Sequence, residues 1–239
     1  CEKPITAIKV GSSEIGVKAA FAHTASENQG HSNAEYDKLF EESGVLREKT
    51  WQEFLDTSLA LGNCPPLRGD NVVIITNGGG AGLLAADHFE RLGMPLKELK
   101  DISPDLRENI RNYMPAFGSP LNPVDISGTA TSDMYGGALK TAYRDEHVDG
   151  ILISVCPTAV TDVEAITETV INIHRQYKNL GKPFIMECQG GNECREAIMK
   201  LRDKGIPAYS TPEQAVNAMV ALRRYSHIMN KKEKLIKNI

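Results

Sequence analysis

The stretch Val72-Val73-Ile74-Ile75-Thr76-Asn77-Gly78-Gly79-Gly80-Ala81-Gly82 decides the fold. Its run of β-branched residues predicts a buried strand, and the glycines after it predict a turn. The amphipathic residues 82–92 then predict a helix that stops before Gly93 and Pro95. A strand joined by a short turn to a helix is typical of a parallel α/β sheet.

The same alternation continues toward the C-terminus. Apolar runs at residues 150–155, 183–187 and 206–209 predict strands, and residues 162–177, 192–204 and 212–225 predict the helices that follow them. The last helix has a clear start, since Thr211 precedes Pro212 and Glu213 in the first turn. The fold class is therefore α/β with a doubly wound parallel sheet, and we expect the strands at 72–76, 150–155 and 183–187 to be parallel.

The front of the chain is organised differently. Residues 5–10 predict a strand, residues 12–33 a loop, and residues 34–43 and 51–61 two helices. A breaker-rich segment at 63–69 marks a boundary. We expect residues 1–65 to be the C-terminal part of one α/β domain whose sheet is completed outside this chain. Residues 66–228 would form a complete domain, and residues 229–239 a charged tail or linker.

Composition excludes several classes of function. The 239 residues carry a net charge of -4, which is not the footprint of a nucleic-acid-binding protein. No stretch has the length and apolar character of a membrane span, so we expect no membrane partner. The five scattered cysteines include no CxxC pair, and they favour a cytoplasmic, reducing setting.

The glycine-rich turn is a candidate anion site. Glycines let backbone amides approach an anion, and the free amides and dipole of the following helix favour negative charge. The alternative is a tight strand-to-helix turn without a ligand. The glycine-rich segment does not match the dinucleotide-binding fingerprint, because Leu83 stands in place of the third glycine. It also lacks the lysine of a phosphate loop. The candidate phosphate-binding residues are Gly78, Gly79, Gly80, Ala81 and Gly82.

His23 is the candidate nucleophile. It lies in the small-residue loop Ala22-His23-Thr24-Ala25, and a neutral imidazole can attack phosphorus near pH 7. Its alternative role is that of an ordinary surface histidine. Cys188 and Cys194 flank a second glycine turn, residues 189–192, and we interpret them as small buried residues rather than catalytic thiols.

Four spaced segments carry further information: Lys3 to Thr24 with His23, Thr76 to Asp87 with the glycine-rich turn, Asn122-Pro123-Val124-Asp125 with Gly128, and Ile206 to Ala215. Taken together and in this order, they resemble the family of ADP-forming acyl-CoA synthetases, relatives of succinyl-CoA synthetase. Ala22 and Ala25 stand where that family has serine and glycine. Alanine is also small, so we expect the loop to function.

The resemblance implies two flavodoxin-like domains, an incomplete one at residues 1–65 and a complete one at 66–228. It implies that His23 is the catalytic residue that carries the phosphoryl group, with Thr24 and Asn77 as supporting residues, and that the glycine-rich helix start faces the phosphohistidine. It also implies CoA, ATP or ADP, and magnesium, bound mainly by parts outside this chain. No metal ligands are expected among the site residues.

The reaction implied by the resemblance is reversible: acyl-CoA, ADP and phosphate give the acid, ATP and CoA through a phosphohistidine. The implied partners are an ATP-grasp domain or subunit, a CoA-binding domain and a small carboxylic acid, in an oligomeric enzyme. The alternative function is a noncatalytic module that binds a nucleotide or CoA phosphate or serves as a scaffold.

Overall fold

The structure is a computed structural model that describes residues 3–22 and 32–237. Its described residues form two parallel sheets, one of two strands and one of five. The smaller sheet pairs β1 (Thr6–Ile8) with β2 (Leu46–Glu48) in parallel. Between these strands lie α1 (Glu14–Phe21) and α2 (Asn33–Ser43).

The front of the chain corrects two predictions. Residues 12–33 were expected to be a loop, but α1 begins within them because the Ser13 hydroxyl caps the helix by accepting from the Gly16 amide at 3.1 Å. The expected strand at 5–10 is shorter, and β2 was not predicted, since a three-residue strand carries too little pattern.

The five-stranded sheet has the order β4-β3-β5-β6-β7, and every adjacent pair is parallel. The parallel arrangement predicted for the strands at 72–76, 150–155 and 183–187 is therefore confirmed. The strands are β3 (Val72–Thr76), β4 (Val124–Asp125), β5 (Gly150–Val155), β6 (Phe184–Cys188) and β7 (Ala208–Tyr209).

Helices cover both faces of this sheet and enclose two hydrophobic cores. One core lies under α5 (Leu99–Ile102), α6 (Leu106–Arg111), α7 (Ser132–Arg144), α8 (Val163–Tyr177) and α9 (Asn192–Asp203). The other lies under α3 (Trp51–Asn63), α4 (Gly79–Arg91) and α10 (Pro212–Lys237). The sheet is thus doubly wound, as the sequence predicted.

Helix α10 is longer than the sequence indicated. It continues to Lys237, through most of the residues expected to be a tail. It contacts α3 and α4, which cover one face of the main sheet, and it also contacts β2 of the front sheet. Arg224 on α10 pairs with the buried carboxylate of Glu48 on β2 at 3.1 Å.

A substitution at Gly82 tests how closely α4 packs on the sheet. A Cβ at this buried position would lie 2.9 Å from the Pro123 Cβ and 3.0 Å from the Thr76 Cγ2. We expect Gly82→Ala to lower the free energy of unfolding by about 1–3 kcal/mol, since the rigid neighbours must shift.

The matched control is Gly62→Ala on α3, where nothing lies within 4 Å of the added methyl group. This change should raise the free energy of unfolding by up to about 1 kcal/mol through helix propensity. Urea denaturation of both variants measures the difference, and equal stabilisation by the two changes would contradict the close packing at Gly82.

Candidate active site

A row of polar side chains crosses the carboxyl-terminal edge of the main sheet. Register pairing places Asp125, Thr76, Ser154, Glu187 and Tyr209 side by side on successive strands. Residues in register on parallel strands project from the same face, and this face also carries α4 and α10. Ligands of open α/β sheets bind at this edge, so the row marks the candidate site.

The glycine turn exposes the start of α4 at this edge. Gly78 is the N-cap and has no side chain with which to satisfy the first amides. The amides of Ala81 and Gly82 bond to the Gly78 carbonyl at 3.0 and 3.2 Å, whereas those of Gly79 and Gly80 donate to no described residue. Two amides at the positive end of a helix are therefore available to an anion.

The helix begins three residues earlier than the sequence predicted, so Gly79 and Gly80 lie in its first turn. Each glycine of the turn has a different environment. A Cβ on Gly78 would lie 2.4 Å from the Cys156 Sγ, and one on Gly79 would lie 2.7 Å from an Asp125 oxygen. A Cβ on Gly80 would meet nothing within 4 Å. Gly78 and Gly79 are required for packing, while Gly80 faces open space from which a ligand can approach.

Asn77 ties the glycine turn to the neighbouring strand. Its Oδ1 accepts from the Cys156 amide at 2.8 Å and from the Tyr135 hydroxyl at 3.0 Å, and its Nδ2 donates to the Cys156 carbonyl at 2.9 Å. Asn77 is 3% exposed. With its amide occupied by protein groups, Asn77 can orient the turn rather than contact a ligand.

The segment Asn122-Pro123-Val124-Asp125 completes the edge of the sheet. The Asn122 side chain accepts from the Ile74 amide at 3.1 Å and donates to the Val72 carbonyl at 2.8 Å, so it pairs with β3 as a strand backbone would. Asp125 accepts from the Ser127 amide at 2.8 Å and brings a carboxylate to the first turn of α4. An anion at α4 is therefore best placed on the Gly80 side, away from Asp125.

Glu187 is a feature of the site that the sequence analysis missed. It is fully buried on β6, neither carboxylate oxygen reaches a hydrogen-bond partner in the described residues, and Ser154 is its register neighbour on β5. Burial raises the pKa of Glu187 to about 7, and Glu213 adds to this, whereas the nearby Ser154 hydroxyl acts in the opposite direction. A single carboxylate within an apolar strand gives no pattern from which to predict this environment.

The cysteines near the site differ from the sequence expectation. Cys188 and Cys194 form a disulfide across the second glycine turn, with their Cα atoms 5.3 Å apart. Cys156 is a free thiol that accepts a hydrogen bond from the Gln189 side chain at 3.0 Å. Burial raises the pKa of the Cys156 thiol, which keeps it protonated and argues against a nucleophilic role.

His23 and Thr24 lie outside the described residues. Helix α1 ends at Phe21 and α2 begins at Asn33, so the two helices bracket the segment that contains them. Among the described residues, no group of three or more His, Cys, Asp or Glu side chains could hold a metal ion. None of the helices in the described residues is long and apolar enough to span a membrane.

Two family models match the sequence. The succinyl-CoA ligase like flavodoxin domain matches residues 1–61, and the Ligase-CoA domain matches residues 72–231. These two matches, with the curated relatives described next, show that the chain belongs to the family of ADP-forming acyl-CoA synthetases.

Within this family, the chain is similar to the alpha subunit of acetate–CoA ligase (ADP-forming) I from Pyrococcus furiosus. The two are 43% identical over 94% of this chain and 47% of the relative. The chain is also 30% identical to 4-hydroxybutyrate–CoA ligase (ADP-forming) from Nitrosopumilus maritimus, over 94% of this chain and 31% of the relative. It thus spans about a third to a half of the length of these relatives.

A solved structure agrees with these matches. The dinucleotide forming acetyl-coenzyme A synthetase 1 of Ca. Korarchaeum cryptofilum, in complex with phosphate and ADP, superposes with a TM-score of 0.89 at 35% identity. The match covers 97% of this chain and 49% of that one. The fold and the family are therefore established together.

Glu187 makes the stability of the fold depend on pH. Its pKa is raised from 4.5 to about 7 in the folded state, so the folded protein retains a proton that the unfolded chain releases. Stability is then lost as the pH rises from about 4.5 to about 7, by on the order of 3 kcal/mol in total.

The variant Glu187→Gln, which cannot ionise, should remove this component. Urea denaturation at pH 5 and pH 8 should show the variant close to the original protein at pH 5 and more stable at pH 8. An identical pH dependence for the two proteins would show that Glu187 does not carry the effect.

Proposed function

We propose that this chain is the phosphoryl-carrying part of an ADP-forming acid–CoA ligase, and that the open amides of Gly79 and Gly80 receive the phosphoryl group held on His23. The observation that carries the proposal is the start of α4, where two amides lack partners in the described residues and Gly80 faces open space. Relatives over the same region are ADP-forming CoA ligases.

The proposed chemistry proceeds in three transfers. Phosphate attacks the thioester carbonyl of acyl-CoA, which breaks the C–S bond and gives an acyl phosphate and CoA. A nitrogen of His23 then attacks phosphorus, which breaks the P–O bond to the acyl oxygen and releases the carboxylate. Finally, a terminal oxygen of ADP attacks the phosphohistidine, which restores the neutral imidazole and gives ATP.

The role of α4 in these steps is electrostatic. Phosphohistidine carries concentrated negative charge, and backbone amides at a helix start stabilise it without offering a proton or a competing nucleophile. Asn77 would hold the turn in place through its bonds to Cys156 and Tyr135, and Thr24 would support the histidine. Gly78, Ala81 and Gly82 would shape the turn around the two free amides.

The remaining participants belong to other parts of the enzyme. By the family resemblance, magnesium would be held mainly by parts outside this chain. We propose that the nucleotide and CoA are likewise bound mainly by an ATP-grasp domain or subunit and a CoA-binding domain, in a cytoplasmic oligomer. Within the chain, residues 1–65 would belong to the histidine-bearing domain and 66–228 to the second flavodoxin-like domain.

The first test is chemical. When the complete enzyme is incubated with labelled ATP and magnesium, the protein should acquire a label that is acid-labile and base-stable, as phosphohistidine is. His23→Ala should lose both the label and turnover, because alanine offers no nucleophile. His31→Ala, a histidine eight positions later in the same segment, serves as the matched control and should keep both.

Retention of label and near-normal turnover by His23→Ala would assign the relay to another residue. The complete absence of a trapped phosphoryl group in the unmodified enzyme would instead favour the alternative function, a noncatalytic module that binds a nucleotide or CoA phosphate.

The second test concerns the start of α4. We expect Gly80→Leu to slow phosphorylation of the enzyme by about tenfold or more, because the side chain would fill the space through which the anion reaches the amides. The fold should persist, since a Cβ at Gly80 meets no atom within 4 Å. Gly62→Leu is the control, because it places the same side chain in open space on α3. Unchanged phosphorylation in a folded Gly80→Leu enzyme would contradict a role for this helix start.

A further inference from the structure

A second concave surface lies at the amino-terminal edge of the main sheet, where β6 begins, at the opposite end of the strands from the glycine turn. It has a volume of about 430 Å³ and lies among the C-terminal ends of α8 and α9 and the residues that follow α3. We call it the basic pocket and define it by its cationic or basic lining residues, which are His174, Arg175, Lys178, Lys182 and Lys204.

Positive charge is concentrated in the basic pocket against the trend of the whole chain. The chain has a net charge of -4, yet no Asp or Glu is among the described residues that line this pocket. A larger groove elsewhere between α8 and α9 has the opposite character, because a single lysine there faces four acidic residues, Asp162, Glu164, Glu193 and Glu196. The lining of the basic pocket is therefore cationic, which favours an anionic ligand over a cationic one.

Three of its cationic groups form no direct bond within the described residues, although Arg175 and Lys204 attract the Glu168 carboxylate, which does not line the pocket. Lys182 donates to the carbonyls of Ala142 and Asp145 and so completes the end of α7. Arg175, Lys178 and Lys204, in contrast, form no hydrogen bond or ion pair with a described residue. Basic residues near helix C-termini offset the helix dipole, but this effect is worth little for exposed side chains and does not require a shared pocket.

His174 adds a neutral donor to the wall. Its Nδ1 lies 2.8 Å from the Tyr143 hydroxyl, and burial, aided by the charge of Lys178, lowers the pKa of His174 to about 4. The ring is therefore neutral near pH 7. When the Tyr143 hydroxyl donates to Nδ1, the Nε2 nitrogen carries the proton and can donate to a ligand. A fixed N–H beside mobile cations is suited to an oxygen-rich anion.

We infer that the basic pocket binds a small anion with two linked phosphate groups, held between the cations of α8 and the lysine at the end of α9. Arg175 and Lys178 lie at the end of α8 and Lys204 follows the end of α9, so the cations stand on two walls of the pocket, and an anion with two linked phosphate groups offers charge to both walls. The shared chemistry is a diphosphate, which could come from free pyrophosphate or from a nucleoside diphosphate. This site is separate from the proposed phosphohistidine site.

The test measures whether an anion protects the lysines of the basic pocket from chemical modification. The complete ligase is treated with a lysine-acylating ester, with and without pyrophosphate, and the modified lysines are quantified by peptide mass spectrometry. Pyrophosphate should protect Lys178 and Lys204 in a saturable manner. Lys200, on α9 but outside the pocket and paired with Glu168, should be modified equally in both samples. A parallel series with ADP identifies the source, since the better ligand protects at lower concentration.

Substitution then tests the pocket without touching the proposed catalytic residues. Arg175→Ala should raise the pyrophosphate concentration for half-protection of Lys178 and Lys204 by about tenfold or more, because a charge-assisted contact is lost. The control Arg195→Ala removes an arginine from the other end of α9 and should leave the pyrophosphate concentration for half-protection unchanged. Absence of protection by both pyrophosphate and ADP at millimolar concentrations, or equal protection in Arg175→Ala, would overturn the inference.

Discussion

The geometry of the candidate site depends on one side chain, the amide of Asn77. It forms hydrogen bonds to both the amide and the carbonyl of Cys156, and it also accepts from the hydroxyl of Tyr135. Through these bonds the ends of β3 and β5 and the start of α7 are fixed together. The glycine turn can therefore leave the sheet at a defined angle, and the two free amides lie in the first turn of α4.

This constraint also explains why the turn consists of glycines. The Cys156 side chain lies where a Cβ of Gly78 would be, and the Asp125 carboxylate lies where a Cβ of Gly79 would be. Only Gly80 faces space that a ligand could enter. Two glycines are thus explained by packing, and the third, Gly80, borders the open space at the start of α4. The sequence alone does not distinguish these three environments.

Much of the fold could be predicted because its long elements have strong patterns. The strand at Gly150–Val155 and the helix at Val163–Tyr177 match the predicted ranges almost residue for residue. The missed elements are those whose pattern is short or interrupted. Helix α1 lies within a segment of small residues that was predicted to be a loop. Helix α7 is interrupted in pattern by Gly136 and Gly137, against which the Thr169 side chain and the Tyr113 ring pack, respectively.

The candidate site was predicted only in part, for a different physical reason. Glycine spacing in one segment is sufficient to indicate an exposed helix start. The environment of Glu187, by contrast, arises from strands far apart in sequence that bring a carboxylate beside Ser154 without a hydrogen-bond partner in the described residues. The disulfide between Cys188 and Cys194 likewise depends on how the seven-residue segment 188–194 folds back on itself. The role of His23 rests on the family resemblance and stays a prediction.

The length of α10 has a mechanical consequence. Its 26 residues extend roughly 39 Å at the usual rise of 1.5 Å per residue. It contacts β2 of the front sheet as well as α4, the helix that carries the glycine turn. The breaker-rich residues 63–69 have the composition of a hinge. Helix α10 is hydrogen-bonded to this segment at Leu67 and Arg68, however, and its continuous helical structure opposes bending there. A force applied to the front sheet would consequently be transmitted through α10 to α4, so the front sheet and α4 would be expected to move together.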